Sequence, residues 1–204
     1  RPFAGKPASH NRPRRPEELD TSKGGGAVFN QAAHQVDMVR LVAGAPVTGV
    51  RAVTGLWDVT RPTEGAYATL LTFANNVFAS LVYSGYGHFD SDEFEGWIGE
   101  MGQTKTPYPG QARPRFKTQE DEAAYKNARN YGGADFRPPC EATAHQHFGT
   151  LLVSCDRADL RPVQNGVMIY QDGSSRLDAI PSPGLPRAEV IDELCQAVVH
   201  GKTP

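Results

Sequence analysis

Three apolar segments with the period-two pattern of β-strands follow one another between Val47 and Tyr86, and no helical pattern separates them. They are rich in β-branched and aromatic residues, and their sequences are VTGVRAVTGLWDV, EGAYATLLTFA and VFASLVYSGY. Asn75-Asn76 separates the last two at hairpin spacing, and asparagine tolerates the left-handed conformation that such turns need. Because consecutive strands without intervening helices pair antiparallel, this region predicts an antiparallel sheet.

The rest of the chain predicts a few helices and further strands. Arg1–Lys23 is basic and proline-rich, and a helix is expected over Gly24–Gly44. Residues 87–143 are polar and rich in turns, with a strand expected only at EFEGWIGEMG and a helix only at TQEDEAAYKNARN. Strands are then expected at HFGTLLVSCD, NGVMIYQD and SSRLDAI, and an amphipathic helix at PRAEVIDELCQAVVHG. The length suits one large or two small domains, and we interpret residues 1–204 as a single α+β domain.

Composition and charge argue against several classes of function. A net charge of -2 gives no field that would favour nucleic acid or an anionic membrane. No apolar run approaches the roughly 20 residues that span a bilayer, and RPFAGKPASHNRPRRPEELD lacks the apolar core of a signal peptide. Cys140, Cys155 and Cys195 are widely spaced, which is typical of reduced thiols. We therefore expect a cytoplasmic protein with no nucleic-acid or membrane partner.

One line of the helix expected at Gly24–Gly44 carries three polar side chains, those of Asn30, His34 and Asp37. At about 100° per residue, these side chains fall within roughly 60° of arc. Because Leu41 shares the line and charged residues are few, we expect the line to be enclosed rather than solvated. Enclosed polar groups form either a ligand site or a satisfied internal network, and the residues leave both open. The opposite side is an apolar, core-facing stripe of Val28, Ala32, Val36, Val39 and Ala43.

Motifs for other chemistries are weak. KGGGAVFN lacks both the Lys-Ser/Thr ending of a phosphate loop and the spaced glycines of a dinucleotide turn, so a flexible entry to the helix is the simpler interpretation. No Gly-x-Ser-x-Gly elbow supports a serine hydrolase. HFDSDEFE lacks calcium-loop spacing. His145 and His147 would share one face of a strand, as in some zinc sites, but a solvated loop is the simpler interpretation. No metal site is predicted.

The polar line suits proton transfer to or from a hydroxyl group. A neutral histidine such as His34 exchanges a proton near neutral pH, and Asp37 one turn away would orient the ring. Asn30 offers both a donor and an acceptor to a second hydroxyl. From the residues alone, we expect proton chemistry on a polyol or a hydroxy acid.

Three features together resemble a known family. They are the triple glycine, the polar residue four positions before the histidine, and the aspartate three positions after it. The resemblance is to the substrate domain of the glucose–fructose oxidoreductase / inositol dehydrogenase / rhizopine catabolism (Gfo/Idh/MocA) family. The resemblance implies an open, largely antiparallel sheet with helices on one face. It also implies NAD or NADP held by an N-terminal Rossmann domain, whose glycine fingerprint and Glu-Lys-Pro motif this chain lacks, and a further C-terminal helix. We therefore expect no cofactor-binding residue in this chain.

Carried over position by position, the resemblance implies that His34 is the acid/base partner of the substrate hydroxyl. Asp37 is then its neighbour or a hydroxyl ligand, and Asn30, where many members have aspartate, binds rather than transfers a proton. Two longer stretches, RPRRPEELDTSKGGGAVFNQAAHQVDMVRLV and SGYGHFDSDEFEGWIGEMGQTK, are more specific. They resemble the branch that oxidises phthalate 4,5-cis-dihydrodiol to 4,5-dihydroxyphthalate.

Three arginines before the helix, Arg12, Arg14 and Arg15, are candidate ligands for the two ring carboxylates of such a substrate. The alternative is a solvated arm, or an arm that packs against the Rossmann domain. The alternative activities are a sugar or cyclitol dehydrogenase with the same site plan, and a non-catalytic sensor or assembly module. Because helices on one face leave the other face of the sheet apolar, we also expect a homo-oligomer formed through the sheet.

Overall fold

The computed structural model describes residues 14–59, 61–87, 89–107, 119–137, 142–181 and 188–202. These residues belong to two compact units: Arg1–Asp90 with Pro109–Pro138, and Ser91–Tyr108 with Pro139–Pro204. They are called the first and the second unit here. The expectation that residues 1–204 act as one domain stays a prediction.

The first unit is a three-stranded antiparallel sheet with one helix packed on it. Two short 3-10 turns, Pro16–Leu19 and Thr21–Lys23, precede a helix whose first turn, Val28–Ala32, is a π-helix and whose remainder is α1, Ala33–Ala43. The strands follow as β1, Val47–Gly55, β2, Ala66–Phe73, and β3, Phe78–Ser84, in the order β1-β2-β3. Helix α2, Gln119–Arg129, completes the unit.

The three strands between Val47 and Tyr86 are confirmed where the sequence predicts them. Asn76 adopts a φ of 64° in the turn between β2 and β3, which is the left-handed conformation expected there. Leu71, Phe73 and Leu81 form the buried core on one face of the sheet. From the predicted helix stripe, Val36, Val39 and Ala43 pack against this core, whereas Val28 is 39% exposed.

The second unit contains a four-stranded antiparallel sheet and a final helix. After a 3-10 turn at Ser91–Glu95, the strands are β4, Val153–Ser154, β5, Asp159–Val163, β6, Gly166–Gln171, and β7, Ser174–Ala179. They pair in the order β4-β5-β6-β7. Helix α3, Ala188–His200, follows. The α+β class with mostly antiparallel pairing is thus confirmed, although the described strands form two sheets rather than one.

One local prediction in the second unit is wrong, and one strand of this unit was not predicted. The segment EFEGWIGEMG is not a strand and contributes only the isolated bridge between Ile98 and Thr104. The physical reason is that Gly96 and Trp97 both have positive φ, 65° and 62°, which interrupts an extended conformation. The sequence also gave no sign of β5, because Pro162 within it lacks an amide donor and is unusual in strands.

Candidate functional site

Helix α1, which carries the polar line, is fixed on the first-unit sheet by packing and by side-chain hydrogen bonds. Its apolar side lies on Leu71, Phe73 and Leu81. The Tyr67 hydroxyl of β2 donates to Gln35 Oε1 at 2.8 Å. Gln35 is adjacent to His34, so this bond sets the rotation of the helix at the residue that the sequence singled out.

The glycine turn before the helix is a closely packed structure and not a flexible entry. A Cβ on Gly25 would lie 2.6 Å from the backbone oxygen of Glu18, and Gly26 has a φ of +102°. A Cβ on Gly26 would lie 2.2 Å from the Glu64 carboxylate. That carboxylate accepts the Val28 amide at 2.8 Å, and the Glu64 backbone oxygen accepts the Ala27 amide at 3.0 Å. An acidic side chain therefore already occupies the helix N-terminus, where a phosphate would otherwise bind.

The polar line is open to solvent at two of its three positions, which corrects the expectation that it is enclosed. His34 is exposed, and the Asp37 side chain is 82% exposed and lies 3.4 Å from Arg40 Nη1. Leu41, on the same line, is 84% exposed. The physical reason is that α1 packs on the sheet through one side only, and the polar line is on the other.

Asn30 is half-buried and differs from its two neighbours on the line. Its Nδ2 donates to the Gly26 backbone oxygen at 2.8 Å. This bond uses one of the two N–H donors of the amide, and the amide oxygen is the acceptor that Asn30 offers to a hydroxyl. The described structure thus places Asn30, His34 and Asp37 along one helix, and their functional roles stay predictions.

The arginines before the helix are engaged with glutamates of the first unit. Arg12 lies outside the described residues. Arg14 Nη1 lies 3.7 Å from Glu18 Oε1, and Arg15 Nη1 lies 3.6 Å from Glu17 Oε1. Arg14 is therefore part of an internal ionic network, which is a structural role that the sequence did not indicate.

This ionic network ties helix α2 to the start of the chain and to the loop after β1. Arg61 Nη1 lies 2.8 Å from Glu122 Oε1, and both side chains are largely buried. Lys126 Nζ donates to Glu18 Oε2 at 2.6 Å. Burial alone would raise the pKa of Glu18, but the hydrogen bond from the Arg15 amide and the pairing with Lys126 outweigh it and lower the pKa. The sequence missed these pairs because their members are far apart in the chain.

Tyr67 makes the first unit sensitive to alkaline pH. Burial, and then repulsion from the neighbouring Tyr83 phenol, raise the pKa of Tyr67 from 10.0 to about 12. The folded state therefore holds the Tyr67 proton more tightly than the unfolded chain does. The contribution of the neutral Tyr67 to the free energy of unfolding is thus full below pH 10.0 and is lost as the pH rises towards about 12. We expect the urea midpoint to fall between about pH 9 and about pH 11, and to fall less in Tyr67→Phe. An equal fall in both proteins would contradict this assignment.

The histidines of HQH lie in an irregular segment rather than on a strand. His145 Nε2 is 3.0 Å from the Ile180 backbone oxygen, and His147 Nε2 is 2.8 Å from the Ile98 backbone oxygen. Within the described ranges, no group of three or more His, Cys, Asp or Glu side chains could hold a metal ion. Nor does any helix of the described residues have the length and apolar character needed to cross a membrane.

Comparison with known proteins gives consistent matches. Residues 4–98 match the model of the GFO/IDH/MocA C-terminal domain. The chain is 43% identical over 200 residues to 1-carboxy-3-chloro-3,4-dihydroxycyclohexa-1,5-diene dehydrogenase from Comamonas testosteroni, covering 95% of this chain and 50% of that protein. A crystal structure from Bordetella bronchiseptica RB50, assigned to the dehydrogenases, is 39% identical with a TM-score of 0.79, covering 96% of this chain and 52% of that one.

A more distant structure shares the fold alone. UDP-N-acetylglucosamine 3-dehydrogenase from Acidithiobacillus ferrooxidans is 15% identical with a TM-score of 0.50, and the match covers 94% of this chain and 43% of that one. The chain thus spans about half the length of the relatives that it matches.

The fold is that of an α+β domain, and the relatives that share it at 39% identity or more are dehydrogenases. The family resemblance in the sequence is confirmed, and residues 4–98 carry the GFO/IDH/MocA C-terminal domain.

Proposed function

We propose that this chain is the substrate-binding part of an NAD(P)-dependent dehydrogenase that oxidises phthalate 4,5-cis-dihydrodiol to 4,5-dihydroxyphthalate. The relative from Comamonas testosteroni supports the substrate class, because its name describes a cyclohexadiene that carries a carboxylate and two vicinal hydroxyls. Transfer of a hydride from the carbinol carbon to the nicotinamide, with loss of the hydroxyl proton, gives a ketone. Enolisation of this ketone by loss of the neighbouring ring proton restores aromaticity and adds driving force.

The observation that carries the proposal is an exposed polar line on a rigidly held helix. His34 and Asp37 are accessible to a ligand, while the packing of α1 and the Tyr67–Gln35 hydrogen bond fix the helix beneath them. Such preorganisation is what a site for proton transfer needs. In this proposal, His34 accepts the proton of the hydroxyl that is oxidised, and Asp37 orients the ring or binds a hydroxyl. The Asn30 amide oxygen accepts from the second hydroxyl.

Arg15 is the described arginine that best fits a ring carboxylate. Its side chain is 41% exposed and its pairing with Glu17 is long, at 3.6 Å. Its buried Nε is without a hydrogen-bond partner in the described structure. Arg14, which is less exposed and lies within the ionic network, is the weaker candidate. A guanidinium can bind a carboxylate through two parallel hydrogen bonds, which would favour substrates with ring carboxylates over neutral polyols.

NAD or NADP is the proposed hydride acceptor, and it supplies the redox chemistry when bound. The glycine turn does not fit its pyrophosphate, because the Glu64 carboxylate fills the space at Gly26 and caps the helix that follows. We therefore place the cofactor on protein outside the described residues.

Titration of the 204-residue chain with NAD(H) and NADP(H) tests this placement. We expect no binding in the micromolar range by calorimetry, because the glycine turn is already filled by protein atoms. Binding in that range would show that the chain itself holds the cofactor, and the proposed division of roles would be wrong.

We further propose that the chain self-associates through the sheet surface that α1 leaves uncovered. This surface is the open sheet face, and Val53 and Val82 on it are 70% and 69% exposed. Ala68, Leu70 and Phe78 are its other apolar members, and the same face also carries Arg51, Thr72 and Ser80. Large apolar surfaces of this kind are typical of interfaces.

Val82→Arg should convert the assembly to monomers in multi-angle light scattering, because it places a charge at the centre of an apolar contact. The control is Ser174→Arg on the exposed strand β7 of the second unit, which adds the same charge elsewhere. If wild type is already monomeric at high concentration, or if both variants dissociate equally, the open sheet face is not the interface.

The substrate profile of the dehydrogenase that contains this chain tests the proposed function. Initial rates of nicotinamide reduction are compared for phthalate 4,5-cis-dihydrodiol, the cis-dihydrodiol of benzene and myo-inositol. The proposal predicts the highest kcat/KM for the dicarboxylate, a lower value for the diol without carboxylates, and the lowest for inositol. A preference for inositol would favour a cyclitol dehydrogenase, and no turnover of any of them would favour a non-catalytic module.

A further inference from the structure

The second unit contains an open cavity of about 250 Å³ that the proposed function does not use. Five apolar residues form much of its wall: Ile98, Pro162, Val163, Val167 and Ile180. Polar side chains of Glu95, His145, His147 and Gln164 also line it. A mostly apolar wall with a few fixed polar groups is the usual composition of a small-molecule site.

The polar wall is held in place by bonds to the backbone. The Gly149 amide donates to His147 Nδ1 at 3.1 Å, so Nε2 carries the proton and donates to the Ile98 backbone oxygen at 2.8 Å. Gln164 Nε2 donates to the Glu95 backbone oxygen at 2.8 Å. These bonds fix the wall in advance of any ligand.

Glu95 is the member of this wall that is incompletely satisfied. The residue is 9% exposed, and its Oε1 accepts from the Thr150 hydroxyl at 2.7 Å. Within the part of the chain that the structure describes, its Oε2 has no hydrogen-bond or ion-pair partner. The nearby cation Lys105 is bound to Asp92 at 2.7 Å, and no lysine or arginine is among the described residues that line the cavity. Glu95 Oε2 is not among the fully buried atoms without a partner, so it is open to the cavity. Because no lysine or arginine of the described wall offsets this carboxylate, the cavity favours a cationic ligand over a neutral or anionic one.

We propose that this cavity binds a small organic cation, a protonated amine attached to a single apolar ring or chain. The ammonium group pairs with Glu95, and the apolar part lies against Val163, Val167 and Ile180. The site belongs to the second unit, whereas the polar line belongs to the first. Binding of a cation in this cavity therefore does not depend on the proposed dehydrogenase function.

An NMR titration of the 204-residue chain with benzylamine tests the proposal, with benzyl alcohol and benzoate as neutral and anionic probes of similar size. Benzylamine should shift amide resonances of residues around the cavity, whereas benzyl alcohol should bind more weakly and benzoate should not bind. Equal binding of all three probes, or no binding of benzylamine, would overturn the proposal.

Two variants and a matched control locate the site. Glu95→Gln keeps the size of the side chain and the acceptor for Thr150, and it should weaken benzylamine binding by roughly tenfold or more because the charge is lost. Glu93→Gln removes the same charge from an exposed position of the same 3-10 turn and should leave binding unchanged. Val167→Phe should abolish binding by filling the cavity. If Glu95→Gln does not fold, Val167→Phe and the comparison of the three probes test whether benzylamine binds in this cavity. Benzylamine binding that persists in Val167→Phe would overturn the proposal.

Discussion

In the proposed dehydrogenase, His34→Asn should lower the turnover rate by roughly a hundredfold or more, the usual contribution of a general base. His34 is exposed on a helix that packing and the Tyr67–Gln35 bond hold in place, so the change removes the base without moving its support. Cofactor affinity should change little, because the proposal places the cofactor on protein outside the described residues. Steady-state kinetics with the dihydrodiol measure kcat and KM separately.

The matched control for this prediction is Ala33→Asn. It introduces the same amide at the adjacent exposed position, which lies off the polar line. We expect its kcat to stay near that of wild type. If His34→Asn instead raises KM and leaves kcat nearly unchanged, His34 binds substrate and another group is the base.

Glu122→Ala should lower the free energy of unfolding by about 3–5 kcal/mol, because it leaves the charge of Arg61 buried and unpaired. Glu122 is 4% exposed and lies 2.8 Å from Arg61 Nη1. The same carboxylate also accepts the backbone amide of Arg14, so the change disconnects α2 from the start of the chain. Urea unfolding followed by circular dichroism measures the loss.

Asp121→Ala on the same helix is the control, because it removes the same charge from an exposed position. Its effect should be well below that of Glu122→Ala, since exposed charges contribute about 0–1 kcal/mol. Equal effects of the two variants would mean that the pair with Arg61 does not stabilise the first unit.

The regular elements were predictable because their signals are local. Strands β1, β2 and β3 show period-two apolar patterns over seven to nine residues, and Asn76 supplies the left-handed turn between the last two. Helices α2 and α3 likewise lie within the predicted segments. Each of these patterns depends on neighbouring residues alone, which a single sequence displays.

The exposure of the polar line was not predictable in the same way. The sequence showed which side of α1 is apolar, but the side opposite the core can face solvent, a ligand or another part of the protein. Leu41 on that side suggested enclosure, yet it is 84% exposed in the described structure. An exposed apolar residue beside polar ones is compatible with a surface that receives a hydrocarbon ring bearing hydroxyl groups.

The other features that the sequence did not predict depend on contacts between residues far apart in the chain. Glu18 and Lys126 are 108 residues apart in sequence, and no local pattern indicates that they meet. The glycine turn illustrates the same point at shorter range, because Gly26 is required by the approach of Glu64 and not by any need for flexibility. The burial of Glu95 was not predictable either, because it lies in an acidic stretch whose composition is typical of a solvated loop.

The central claim is that the polar line of α1 receives the diol, and a crystal structure of the dehydrogenase with 4,5-dihydroxyphthalate bound tests it most directly. We expect one hydroxyl of this product within about 3.2 Å of a ring nitrogen of His34, which is hydrogen-bonding distance, and the second hydroxyl near Asn30 Oδ1. A product molecule bound in an active site away from α1, with no contact to His34 or Asn30, would contradict the account.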